Sequence, residues 1–282
     1  MKILITGSAG FVGKFIFNYL KSENQVYGIS RRSSETTTHS FDISNIDISR
    51  ILNEIAPDVI IHSAALTNVD YSEEHQDEAW KTNVFGTENL VKWCKENDKK
   101  MIYISTDYVY SGEKNNYDEY SETNPVNYYG KTKLEAENLV KKLNNWVILR
   151  STVIFGYDKL GTNFLMQMLN FKEPKKICDD QISNPTDVNV LCEYVRKIIE
   201  KNIKGLFVAT GPETINRYEF AILIADIFGL DKNLILKVKT SELNQKAKRP
   251  LNNGTNSLKI RNLLDYNCPT LRESLEKIKS RL

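Results

Sequence analysis

The chain has 282 residues, 41% hydrophobic and 26% charged, with 38 Lys and Arg against 36 Asp and Glu and a formal net charge of +2. That is ordinary globular composition, long enough for one large domain or two small ones, and it excludes disorder, collagen and coiled coil. Near-neutrality also removes the sequence-independent pull toward nucleic acid or anionic membrane that clustered cations supply, and the short basic stretches Lys172 to Lys176 and Lys246 to Arg249 read as solvated loops.

In chain order, Lys2 to Thr6 is a short β-rich run that meets glycine at once, too soon to be a signal peptide. Val12, Phe15, Ile16, Tyr19 and Leu20 then repeat at helical spacing and give one apolar face. Gln25 to Ile29 is predicted as a second strand, Ser40 to Ile43 as a weak third, Asn45 to Ile55 as a helix and Asp58 to His62 as a fourth strand. A long helix is expected from Ser72 as N-cap to about Asn97, with Glu73 and Glu74 in its first turn. Lys100 to Ser105 and Trp146 to Arg150 are further strands, separated by a helix from Asn124-Pro125 to about Leu143.

Strands separated by helical crossovers predict an α/β fold, a doubly wound parallel sheet of the Rossmann kind. After Arg150 the alternation breaks, with loops over Gly156 to Asn163 and Lys172 to Pro185 and clear helices over Val188 to Glu200 and Tyr218 to Phe228, the second stopped by Gly229. Leu206 to Thr210 is expected to return to the main sheet. The expected division is therefore a dinucleotide-binding domain over 1–150 with that returning strand. A smaller, partly interleaved lobe over 151–282 caps the carboxyl edge, where ligands bind in such sheets.

No apolar run approaches the roughly eighteen residues that span a bilayer. Cys94, Cys178, Cys192 and Cys268 are scattered and read as reduced thiols of a cytoplasmic protein. His39, His62 and His75 do not stand at metal-ligand spacing. No metal site is expected.

Gly7-Ser8-Ala9-Gly10-Phe11-Val12-Gly13 joins the first strand to the first helix. Gly7 permits the tight turn, Gly10 lets backbone approach a pyrophosphate, Gly13 allows close helix–sheet contact, and the helix N-terminus offers its unpaired N–H groups to phosphate. A site selective for NAD usually ends its second strand in an acid. This chain has Ser30-Arg31-Arg32 there, whose guanidinium groups suit a 2′-phosphate, so NADPH is the expected cofactor with NADH as the alternative. Asp42 would meet the adenine amino group, Ile43 belongs to the same coenzyme site, and Ala64, Ala65 and Leu66 would line the coenzyme at the end of the fourth strand.

Tyr129 and Lys133 stand four apart on one helical face. Tyr110 and Lys114 match the same spacing, but in a glycine-containing loop, whereas Tyr129 opens a helix after the fifth strand. Reduction of a ketone needs a proton for the developing alkoxide. Lowering a phenol by about three pKa units takes roughly 4 kcal/mol of electrostatic bias, part of which Lys133 would supply while holding the nicotinamide ribose. Thr106, at the same sheet edge, would donate to the carbonyl oxygen, and Asn83 would orient a relay water.

Together with Ala64-Ala65-Leu66-Thr67-Asn68-Val69-Asp70, Ser105-Thr106-Asp107-Tyr108-Val109-Tyr110-Ser111-Gly112, Asn127-Tyr128-Tyr129-Gly130-Lys131-Thr132-Lys133, Asp180-Gln181 before Pro185-Thr186, and Arg249-Pro250, these residues make the whole chain resemble the extended short-chain dehydrogenase/reductase family. The resemblance implies that Thr106, Tyr129 and Lys133 are catalytic. It further implies that Thr67, Val69, Asp107, Tyr108, Val153, Asn163 and Arg249 lie near a nucleotide sugar. Dehydratases of this family need an Asp-Glu pair after the threonine; here Asp107 is followed by Tyr108, and dehydration is not expected. Val153 stands where many reductases of the family have tryptophan, Ser183-Asn184 where they often read Gly-Ser, and Phe11-Val12 is nearer the epimerase branch.

The implied activity is an NADPH-preferring reduction of a nucleotide-linked 4-keto-6-deoxy sugar at C4, for a surface polysaccharide, by a monomer or homodimer. The alternatives are a nucleotide-sugar 4-epimerase with tightly held NAD and a non-catalytic regulatory subunit of the methionine adenosyltransferase type.

Overall fold

Seven parallel strands form the centre of the computed structural model, which describes residues 1–159 and 161–282. Six of them are Lys2–Thr6 (β1), Gln25–Ser30 (β2), His39–Ser40 (β3), Val59–His62 (β4), Lys100–Thr106 (β5) and Trp146–Ser151 (β6). The spatial order is Gly205–Val208, β6, β5, β4, β1, β2, β3. Helices cover both faces, so the strands read as near-continuous apolar runs; every residue of β4 and β5 is buried.

Alternate residues of β1 point to opposite faces, and each face builds its own core. Ile3 and Ile5 join Ile16 and Leu20 of helix Phe11–Leu20 (α1) and Leu191 and Val195 of helix Val188–Glu200. Leu4 packs on the other side with Leu52 of Ile48–Ile55 (α2), Leu90 and the helix Tyr128–Val140 (α6) through Ala136 and Val140. A third core, built on Phe155, Leu165, Phe220, Ile224 and Leu275, belongs to the C-terminal residues. No described helix is long and apolar enough to cross a membrane, no group of described side chains could hold a metal ion, and all four cysteines are free and buried.

The strand expected over residues 206–210 joins the sheet beside β6, and Gly229 ends helix Arg217–Phe228 at φ +72°, as its sequence requires. Four elements differ from expectation. The third strand is only His39–Ser40, which leaves Asp42 and Ile43 in the following loop. The helix expected to start at Asn124-Pro125 is capped by Asn127, whose side chain accepts from the Gly130 N–H at 2.9 Å.

The long helix over 72–97 is broken in four: Val69–Glu74 (α3), Gln76–Trp80 (α4), a π-helical turn Lys81–Phe85 and Gly86–Glu96 (α5). Asn68, not Ser72, caps its start, accepting from the Tyr71 N–H at 3.0 Å, and His75 leaves helical geometry at φ −127°. The stretch expected as loop over 172–185 contains Lys175–Cys178, which pairs in parallel with Ile235–Val238, a partner too distant in sequence to leave a local signal.

His62, at the end of β4, is fully buried between two hydroxyls, Thr6 Oγ1 2.7 Å from Nδ1 and Thr87 Oγ1 2.9 Å from Nε2. Burial, aided by the charge of Lys133, pushes the imidazole down to about 3. The unfolded chain therefore binds a proton that the folded one refuses between about pH 6.5 and 3. Stability from this residue is complete above pH 6.5 and is lost as pH falls across that window. His62→Gln is expected to flatten the decline in urea-unfolding free energy between pH 7 and 5 relative to the parent, measured at both pH values.

Candidate active site

A parallel sheet brings the carboxyl ends of all its strands to one edge, and a cavity of about 770 Å³ opens there. Gly7, Ala9, Gly10, Phe11, Val12 and Gly13 form one part of its wall. Gly7 has φ +71°, and a Cβ there would stand 2.7 Å from Ala64 Cα; a Cβ on Gly13 would stand 2.3 Å from the Gly7 carbonyl oxygen. Gly10 is the N-cap of α1 with no side-chain cap, and the first turn contains no acid, so the N–H groups of that turn are left for an anion. A loop stripped of every Cβ that would obstruct it, at the foot of an uncapped helix, fits a dinucleotide pyrophosphate.

Arg31 and Arg32 follow β2, line the same cavity and are exposed, and neither enters an ion pair among the described residues. Asp42 and Ile43 stand nearby in the wall. Burial opposes ionisation of Asp42, but two hydrogen bonds from Ser44, both 2.9 Å, and the charges of Arg31 and Lys81 outweigh it and hold the carboxyl below its usual range. Ala64 and Ala65 line the cavity too.

Leu66 does not, and neither does Asn83. The Asn83 carboxamide clamps Leu66, accepting from its N–H at 2.7 Å and donating to its carbonyl at 3.2 Å. It also donates to Thr132 Oγ1 at 2.9 Å, and that hydroxyl donates to the Tyr129 carbonyl at 2.8 Å. With both polar ends occupied, Asn83 ties the loop after β4 to α6 instead of orienting a relay water.

Thr106, Tyr129 and Lys133 converge on the wall beside the glycine loop. The Tyr129 ring stands edge-on to Tyr108, centroids 6.0 Å apart. Burial pushes its phenol well above the ordinary value, with Asp107 and Tyr108 adding to the rise and the Thr106 hydroxyl opposing it. Lys133 is 3% exposed, and its Nζ donates to the Ile104 carbonyl at 2.8 Å and lies 4.1 Å over the Tyr103 ring. Burial pushes it down to about 7, against a smaller upward influence from Glu137. The phenol is thus raised where a lowering was expected, and burial is the main cause. Both groups are desolvated, which favours the neutral form of each, and the ammonium is turned to Ile104. A phenol held protonated through neutral pH is in the state that a proton donor needs.

Thr106 accepts from the Tyr108 N–H and donates to Asp107, both at 3.2 Å. Burial pushes the Asp107 carboxyl up to about 6, although Asn253 donates to it at 2.7 Å. Thr67, Val69, Asp107, Tyr108, Val153 and Asn163 all border the cavity. Asn163 caps helix Phe164–Leu169 through its Oδ1 and donates from Nδ2 to Gly156 at 3.0 Å, so both of its polar ends are occupied. Val153 has φ +41°, a strained conformation for a β-branched residue, in the wall of the site.

Arg249 is not in the wall: it pairs with Asp70 at 2.9 Å and donates to the Ala247 carbonyl at 2.8 Å. Sequence reasoning missed Ser151, Thr152 and Arg217, which do line it. The register, with Ser151 opposite Thr106, would have found the first once the strand order was known.

A family model described as "RmlD substrate binding domain" matches residues 1–282. The chain is 31% identical to a dTDP-4-dehydrorhamnose reductase of Aggregatibacter actinomycetemcomitans, over 99% of this chain and 98% of that one. It is 31% identical to methionine adenosyltransferase 2 subunit beta of Bos taurus, over 89% of this chain and 79% of that one. Among solved structures it resembles dTDP-4-dehydrorhamnose reductase from Bacillus anthracis str. Ames in complex with NADP, at 30% identity and a TM-score of 0.92, over 100% of this chain and 99% of that one.

Proposed function

The chain belongs to the RmlD substrate-binding-domain family, and from that premise we propose that it is an NADPH-preferring reductase of a nucleotide-linked 4-keto-6-deoxy sugar, with dTDP-4-dehydrorhamnose the first substrate to test. It is an oxidoreductase of glycan-sugar biosynthesis, working in the cytoplasm as a monomer or homodimer. Residues 1–150 hold the coenzyme and 151–282 mainly the sugar. What carries the reading is one observation: Thr106, Tyr129 and Lys133 share a cavity with a glycine loop that fits a dinucleotide.

Gly7, Gly10 and Gly13 hold the pyrophosphate, Arg31 and Arg32 the 2′-phosphate, and Lys133 the nicotinamide ribose. The bound dinucleotide supplies the hydride for C4. Thr106 turns its hydroxyl from Asp107 to the sugar carbonyl oxygen, Tyr129 gives that oxygen its proton, and Lys133 balances the phenolate left behind. The methionine adenosyltransferase reading is not favoured, because the reductase relative matches at equal identity over more of both chains. The epimerase reading is not favoured either, since a solved UDP-glucuronic acid 4-epimerase matches less well, at 26% identity and a TM-score of 0.83 against 30% and 0.92 for the reductase.

The test is coenzyme oxidation with dTDP-, UDP-, GDP- and CDP-linked 4-keto sugars, NADPH beside NADH. The parent is expected to oxidise NADPH faster with one of them. Arg31→Asp is expected to lower kcat/KM for NADPH by about 10- to 100-fold, the worth of a charge-assisted phosphate bond, and to leave NADH unimpaired. An unchanged coenzyme ratio removes Arg31 from the 2′-phosphate site, and no turnover with any of the four removes the reductase.

A further inference from the structure

The cavity carries basic side chains in three places, Arg31 with Arg32, Lys133 and Arg217, and the coenzyme accounts for the first two. Arg31 and Arg32 stand after β2, on the side of the glycine loop. Arg217 lines the same cavity from the C-terminal residues, as the first residue of helix Arg217–Phe228. Its backbone N–H is fixed by the Gln181 carbonyl at 3.0 Å, and its guanidinium carbon lies 4.8 Å from the centre of the Phe164 ring. That guanidinium enters no ion pair and no side-chain hydrogen bond among the described residues. Arg249 makes the contrast, because Asp70 neutralises it at 2.9 Å and it stays out of the wall. A half-buried cation without a counter-ion is costly to keep, and a ligand that brings an anion relieves that cost.

The neighbour of this cation is Tyr108, whose phenol is pushed up by burial while Arg217 is the largest influence opposing the rise. Tyr108 in turn stands edge-on to Tyr129. Arg217 therefore faces the part of the cavity on the Tyr108 side of the reacting carbonyl. The contact with the Phe164 ring braces the guanidinium and leaves its N–H groups for oxygen acceptors in a fork that matches phosphate. The coenzyme's own pyrophosphate is already served by the uncapped first turn of α1.

Resting on the reductase reading, we infer that Arg217 holds the diphosphate of the nucleotide-linked sugar and so selects nucleoside-diphosphate substrates over free keto sugars. The experiment is calorimetric titration of dTDP, UDP, GDP and CDP, each beside its nucleoside, into protein saturated with NADP⁺, for the parent, Arg217→Leu and Arg217→Lys. The leucine variant is expected to lose about 10- to 100-fold in affinity for the diphosphate the parent prefers, with nucleoside binding unchanged, and the lysine variant to recover part of the loss. Affinity for NADP⁺ is expected to be equal in all three, which also shows that the variants are folded. A leucine variant that binds the diphosphate as tightly as the parent overturns the assignment, as does one that loses NADP⁺ instead. A parent that binds none of the four diphosphates overturns the reductase reading together with this one, whereas parental binding untouched by the substitution overturns only the role of Arg217.

Discussion

Tyr129→Phe is expected to lower turnover by about 10²- to 10⁴-fold, the usual range for removing a general acid, while NADPH affinity stays at the parental value. Phenylalanine keeps the ring and its edge-on packing against Tyr108, centroids 6.0 Å apart, so the change is confined to one hydroxyl. That hydroxyl is protonated throughout the neutral range because burial disfavours the phenolate. Proton transfer to the alkoxide then creates the form the site disfavours. Some other charge must compensate, and the residue at hand is Lys133, which burial leaves only part-charged near neutral pH. The phenolate draws the ammonium form, so the two titrate as a pair during turnover rather than singly. The measurement is kcat from NADPH oxidation with the keto sugar, beside an NADPH titration followed by fluorescence. Parental turnover in the variant removes Tyr129 as the acid. Loss of NADPH binding in parallel means that the substitution disturbed the fold of the site, and the rate then carries no information on proton transfer.

Much of the site was legible because it is local. The glycine loop and α1 lie within residues 7–20, and Tyr129 and Lys133 share one turn-and-a-bit of α6, so spacing alone places them. β1, β4 and β5 were legible because a sheet covered on both faces needs unbroken apolar strands. What failed depends on partners far along the chain. The π-helical turn forms around Asn83, whose partners Leu66 and Thr132 lie 17 and 49 residues away. Arg249 is drawn from the cavity by Asp70, 179 residues earlier. The upward shift of Tyr129, where a lowering was expected, had another cause: spacing puts two groups on one face but says nothing about how deeply that face is buried.

Glu137→Ala is expected to cost about 3–5 kcal/mol of unfolding free energy, the largest effect on stability among these substitutions. The side chain of Glu137 is fully buried and accepts from Arg150 Nε at 2.9 Å and Nη2 at 2.7 Å, and from Ser105 Oγ at 2.6 Å. Arg150 Nη1 donates to the Tyr110 hydroxyl at 3.0 Å, and that hydroxyl donates to the Asp118 carbonyl at 2.7 Å. One carboxylate thus joins β5, α6 and β6 next to Thr106. Alanine leaves a buried guanidinium without its counter-ion, and that uncompensated charge, rather than the worth of the pair, sets the cost. Removing both charges in Glu137→Ala with Arg150→Met is therefore expected to recover a large part of the loss in a urea-unfolding measurement. A double variant as unstable as the single one would assign the cost to the space vacated by Glu137 instead. The carboxylate also opposes the downward push of burial on Lys133, so the stable double variant should retain fold and coenzyme binding yet show a Lys133 that loses its proton at lower pH. Its kcat should then fall at a lower pH than the parent's, and an unshifted pH profile would separate Glu137 from the proton-transfer group and leave it a role in stability alone.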